Sequence, residues 1–170
     1  MHDPLTTQPT SSTMPPTDPA RDPAAIARAR AQVAELKKMY ADSAPARAAR
    51  QQARPLFERL GGRDAIRAVV TDIVELHFTE PLTKPLCVGV DQQKLVAHVV
   101  EWLCGAAGGA AHYTGRDMVS AHAHLHMTDV HFMAAGEQIL RTLAKYGVPE
   151  AETQEVLCAI VAHHDDVIRD

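Results

Sequence analysis

Along most of this chain apolar residues return every three or four positions, the spacing of one face of a helix, and they alternate over strand length only in HAHLH, residues 122–126. Before residue 24 neither pattern holds. Residues 1–23 are crowded with Pro, Thr, Ser and Asp, and their few large apolar side chains cannot offset the entropy of ordering; the segment reads as a disordered tail. The text then changes to AAIARARAQVAELKKMYADSA, rich in helix formers, with Ile26, Val33, Leu36 and Tyr40 at helical spacing. Residues 24–54 therefore read as a helical extension, its apolar positions sparse enough for an exposed appendage, and residues 55–170 as the globular domain.

Within that domain the helices separate at recognisable breaks. LFERLGG, residues 56–62, is a short helix stopped by a glycine pair. Arg63 to Phe78 carries Ile66, Val69, Val70, Ile73, Val74 and His77 on one face before EPLTKP interrupts it. Asp91 is placed to cap a third helix with Leu95, Val99, Trp102 and Leu103 on its apolar face, ended by Gly108 and Gly109. Met118 to Leu125 forms a short fourth. Thr128 or Asp129 caps a long fifth through Phe132, Ala135, Ile139 and Leu143; Gly147 stops it, and Pro149 opens the last, through Val156, Ile160 and Val161. The predicted fold class is all-α.

Composition narrows the classes of function. With 170 residues, 46% hydrophobic and 22% charged, the chain has room for one core of ordinary globular make-up. A formal net charge of -4 and a pI near 6.2 leave no basic footprint for nucleic acid and no polybasic stretch for an anionic membrane. Cys87, Cys104 and Cys158 are odd in number and form no CxxC pair, which argues against a disulfide framework or a thiolate zinc site and fits a reducing compartment. Neither a basic-then-apolar leader nor a run of membrane-spanning length is visible, so the expected location is cytoplasmic.

Candidate chemistry lies in the histidines. AHAHLHMTDVHF, residues 121–132, holds His122, His124, His126 and His131, and imidazole is a common metal ligand. On a helix over 118–125, Met118, His122 and Leu125 share an apolar stripe and His124 points elsewhere. Periodicity alone favours a His122 bonded to a carbonyl over a ligand. His98, between Leu95 and Trp102 at the edge of an apolar face, can turn inward or snorkel to solvent. Of His163 and His164 at least one faces the core, while Asp165 and Asp166 read as a solvated helix end. His126 and His131 read as structural or solvent-facing. The HxH spacing of HAHLH also suits zinc in some hydrolases, though those sites need converging carboxylates that an all-α sequence does not supply here.

LFERLGGRDAIRAVV, PLCVGVD, the second glycine pair, HYTGRDMVSAHAHL, TDVHF and YGVPE, in that order, resemble the group I truncated hemoglobins over residues 55–170. The resemblance implies a two-over-two helical sandwich around heme (iron protoporphyrin IX). It also implies a protein that binds diatomic gases (O2, NO, CO) or passes single electrons to a redox partner, as a monomer or weak homodimer. His122 matches the proximal iron ligand, whose other ring nitrogen donates to a backbone carbonyl. Where the family has a Phe-Tyr pair on the second helix this chain has Ile73 and Val74. A donor on the third helix is matched by Val99, and a heme-packing Phe-Phe pair by Leu86 and Cys87. A lining of Val74, Cys87, Leu95, Val99 and Trp102 offers a polarised ligand few donors, which weakens the expectation of oxygen storage and of the family's nitric oxide dioxygenase activity.

His98 matches the position from which some cyanobacterial members supply a sixth iron ligand, implying a six-coordinate heme with His122 and His98 on opposite faces. The same members bond a histidine near the end of the last helix to a heme vinyl group, matched here by His163 or His164. Lys94 and the Tyr113, Thr114, Arg116 segment match propionate-binding positions, and Lys94 reads equally as a solvated lysine. Two rivals stand against this function. One is a globin-like sensor or interaction module whose helix near residues 24–42 docks a partner; the other is a histidine-bound zinc site.

Overall fold

The structure is a computed structural model and describes residues 18–169. Nine α-helices follow in order among those residues: α1 (Pro23–Asp42), α2 (Ala44–Ala53), α3 (Leu56–Arg59), α4 (Gly62–Thr79), α5 (Gln92–Ala106), α6 (Met118–His122), α7 (Asp129–Lys145), α8 (Glu150–Val161) and α9 (His164–Val167). No strand occurs among the described residues. α4 packs on α5 to form one layer and on α7, which pairs with α8 to form the other: a two-over-two sandwich. In α4, α7 and α8 the core between the layers follows the periodic set the sequence marks out, with Val70, Val74 and Val156 almost wholly enclosed. In α5, by contrast, the buried residues are Val96, Val100, Leu103 and Cys104, and of the expected face only Leu103 is among them.

Caps fix the helix ends near the site. Asp91 accepts the Lys94 amide at 3.0 Å and starts α5. At α7 the cap is reciprocal: Thr128 faces the amide of His131, and the His131 Nδ1 accepts the Thr128 amide at 3.0 Å. His131 is therefore buried and structural, the first of the two alternatives its sequence position left open. The last helix differs from expectation. It ends at Val161, and His163 donates its amide to Ile160 in a tight turn that redirects the chain into α9.

The extension departs furthest from the sequence reading. Of the expected tail over residues 1–23, residues 1–17 lie outside the described residues, while Pro19–Arg21 form a 3-10 turn with Ala20 fully buried. Thr128 Oγ1 donates to the Ala20 carbonyl at 2.8 Å. α1 packs on α7 and α8 and is not an exposed appendage; Ala29, Val33 and Tyr40 form a narrow seam that is closed to solvent. The seam is flanked by cations that pair with the domain, Arg30 with Asp129 and Lys37 with Asp165, so a narrow seam is enough. No break falls at residue 55 either. Gln51 Nε2 donates to the Ala107 carbonyl at 3.2 Å while its Oε1 accepts the Leu56 amide at 2.9 Å. Gly108, at φ +86°, makes room for this side chain, because a Cβ there would lie 2.2 Å from Gln51 Nε2.

Candidate functional site

α6 is short, and Asp117 starts it by accepting the Ser120 amide. Its last residue, His122, donates from Nδ1 to the Met118 carbonyl one turn back, at 2.8 Å. That bond fixes the tautomer, so Nε2 is the nitrogen with a lone pair to offer. Burial pushes the His122 pKa below the ordinary histidine value; the Met118 bond opposes this, and His124, Arg116 and His163 add to the lowering. The ring is thus held neutral, the form in which imidazole ligates a metal.

The opposite wall is α5. Leu95, Val99 and Trp102 share its face and are only half-buried, as are Met118 and Leu125 beside His122 and Ile160 from α8. α5 packs on α4 and α6 on α9, yet α5 and α6 barely meet. Two apolar walls held apart, one carrying a neutral imidazole with a committed tautomer, fit a flat apolar metal macrocycle. Val74 and Ile73 of α4, the helix packed on α5, are buried; neither carries a donor. Leu86 and Cys87 lie half-buried in the 3-10 turn Lys84–Cys87, where burial raises the Cys87 thiol pKa.

His98 sits half-buried on the α5 face, its ring edge-on to Tyr113 at 6.3 Å between centroids. The structure separates the remaining pair. His163 faces α5, with its ring edge-on to Trp102 at 5.7 Å and Nδ1 2.9 Å from Asp166. His164 faces α7 with both ring nitrogens on carboxylates, Nε2 on Asp129 at 2.9 Å and Nδ1 on Asp165 at 2.8 Å. His164 thus has no nitrogen for a prosthetic group, and of the two only His163 stands beside the cleft. The rim candidates are partly engaged. Tyr113 donates its hydroxyl to the Arg116 carbonyl, and Thr114 donates its amide and hydroxyl to Glu101, whose carboxyl those bonds hold below the usual range. The Lys94 ammonium is exposed, with Asp91 at 3.8 Å.

Among the described residues no three of His, Cys, Asp or Glu converge as a zinc site; His124 and His126 are exposed and diverge from His122. Sequence reasoning offered Asp129 only as an alternative to Thr128 for the cap and missed its burial, because its partners Arg30 and His164 are remote in the chain. It also left His77 without a role: this ring bonds Gln138 on α7, with its pKa lowered by burial.

Comparison with known proteins agrees with this geometry. The family described as bacterial-like globin matches residues 55–168. A group 1 truncated hemoglobin of Chlamydomonas moewusii is 31% identical over 115 residues, covering 66% of this chain and 67% of that one. Another, from Synechocystis, is 35% identical over 119 residues, covering 66% and 96%. Among solved structures, the ferric truncated hemoglobin of Tetrahymena pyriformis gives a TM-score of 0.66 at 26% identity over 69% of this chain and 100% of that one. The 2/2 hemoglobin of Synechococcus, in the cyanomet state and with covalently attached heme, gives 0.64 at 30% identity over 67% and 98%.

Proposed function

Because this chain belongs to the bacterial-like globin family, among the group 1 truncated hemoglobins, and so has heme as its cofactor and diatomic gases as ligands, we propose that His122 and His98 hold the iron from its two sides. The observation that carries this reading is the bond from His122 Nδ1 to the Met118 carbonyl, which leaves Nε2 as the nitrogen that would hold a metal. Heme supplies an iron centre that takes a diatomic ligand and exchanges single electrons. What the chain contributes is control of access. His98 is half-buried on the helix that carries Leu95, Val99 and Trp102, and its ring lies edge-on to Tyr113. A gas must displace that ring, so its apparent affinity falls by the fraction of time the ring is away. Val74 and Val99 supply no hydrogen bond to a polarised ligand, so single-electron transfer suits the site better than storage.

His163 is the residue we assign to covalent attachment, the property named for the Synechococcus relative. Its Nδ1 is occupied by Asp166, so Nε2 would add across a vinyl C=C, with the ring proton passing to the other vinyl carbon. Lys94 and Arg116 are the rim cations left for the propionates. A partner-docking role for the α1 helix loses its ground, because Val33 and Tyr40 are already covered within the chain.

The visible spectrum tests the iron coordination. Ferric and ferrous wild type should give sharp low-spin bands that turn high-spin in His98→Ala; high-spin bands in both proteins would leave the site five-coordinate and remove His98 from it.

A further inference from the structure

α6 has five residues and α9 four, too few for either to hold its own shape or position. They pack against each other, so the height of His122 depends on what anchors α9. That anchor is His164, 7% exposed, with its ring edge-on to Phe132 at 4.9 Å and both nitrogens on carboxylates. Carboxylates accept, so each is a partner for a ring N–H, and between them they hold the imidazole at both edges. Each carboxylate then meets a cation of α1: the fully buried Asp129 accepts Arg30 Nε at 3.2 Å, and Asp165 accepts Lys37 Nζ at 2.7 Å. The Lys37 and His164 bonds together hold the Asp165 carboxyl below the usual range. The charged and titratable groups facing His164 are thus Asp129 of α7, Asp165 of α9 itself, and behind them Arg30 and Lys37 of α1.

The line Arg30–Asp129–His164–Asp165–Lys37 alternates basic and acidic side chains and has both ends on α1. We infer that Arg30, Lys37, Asp129 and His164 are positioning residues for the heme, setting through α9 and α6 how firmly His122 holds its ligand. This rests on His122 being the iron ligand. Two of the four, Arg30 and Lys37, lie before residue 55, where the family match begins, so the device belongs to this chain's extension and not to the shared domain. Because both end pairs of the line are partly exposed, the hold on α9 is sensitive to salt.

The test uses the full-length, heme-loaded chain carrying Arg30→Gln and Lys37→Gln together, and Arg30→Lys with Lys37→Arg as the conservative control. Heme transfer to an excess of an acceptor globin should speed up about tenfold in the Gln protein, as expected for two partly exposed pairs. The control should stay within about twofold of wild type. Salt should speed heme loss from wild type and leave the Gln protein unmoved. Transfer unchanged in a Gln protein of normal helix content overturns the inference. Should the double variant fail to fold, Lys37→Gln alone, at the exposed end of the line, carries the same test. If wild type takes up no heme, the assignment of His122 is what fails. The support is then read in the heme-free chain from Trp102, the single tryptophan, which abuts His163, the residue that caps α9. Its emission shifts in the Gln protein if α9 has been released, and an unshifted emission overturns the inference there too.

Discussion

His122 and Val99 face one another in chemical character more than in sequence. One is an imidazole made a ligand by a single backbone bond, the other an aliphatic side chain where the family carries a donor. Their proposed roles follow from what each side chain can offer: an imidazole nitrogen that would hold the iron, and no hydrogen bond to a polarised diatomic ligand. Restoring a donor should therefore change retention without touching the proximal side. Val99→Gln is expected to slow ligand dissociation about tenfold, the worth of one net hydrogen bond, in flash photolysis of the His98→Ala background where no ring competes. Equal rates with and without the amide would show that position 99 does not reach the ligand. At this scale the sequence was informative about His122 only once a family pattern joined its periodicity. The fates of His163 and His164 were not legible, since neighbours in a turn diverge by an angle that no spacing rule gives.

Helices were easier to read than their attachments. α4, α5, α7 and α8 announce themselves by a 3.6-residue period and by caps at Asp91 and Thr128, both local signals. How α3 is held is a different matter. With four residues it relies on Arg59, whose guanidinium is 11% exposed and bonds both Glu152 and Glu155 of α8, residues more than ninety positions away. Arg50 of α2 reaches the same two carboxylates from the solvent side. Removing one member of so enclosed a cluster leaves its partner uncompensated: Glu155→Ala should cost about 2–3 kcal/mol in a urea titration, whereas Lys145→Ala, breaking an exposed pair with Asp72, should leave the midpoint in place. Equal midpoints for Glu155→Ala and wild type would mean that α3 is held by Leu56 and its apolar neighbours alone. The sequence reading took α2 for part of an appendage because the acidic partners of its arginines are visible only in three dimensions.

Taken whole, the described molecule encloses three histidines whose charged forms are disfavoured by burial: His77, His122 and His131, each with a pKa below the ordinary value. In the unfolded chain they titrate near about 6.5. The folded state binds fewer protons than the unfolded one between that value and the lowered ones, so stability is complete above about pH 6.5 and declines as pH falls. His131 adds a structural reason, since the Nδ1 that accepts the Thr128 amide must stay unprotonated. Heme-free protein should thus lose denaturant resistance between about pH 7 and pH 5, and His131→Gln, which keeps an acceptor without a titrating ring, should flatten part of that slope. A flat profile in both would show that other groups offset the three rings. The whole-molecule arrangement, an all-α sandwich around a heme cleft, was legible in the sequence; the closure of α1 over α7 and α8 was not, because a seam of Ala29, Val33 and Tyr40 looks too sparse to dock until the flanking ion pairs are seen.

The Gln51 side chain resting on Gly108 bears on how this protein's parts can be exchanged. A boundary drawn at residue 55 looks like a natural breakpoint for a chimera, since the family match begins there. Cutting at that point strips the Leu56 amide of its acceptor and leaves a hollow beside Gly108, at φ +86°, where the Gln51 side chain lay. Gln51 and Gly108 therefore form one heritable unit split across 57 positions, and donor sequences must be swapped on both sides of it at once.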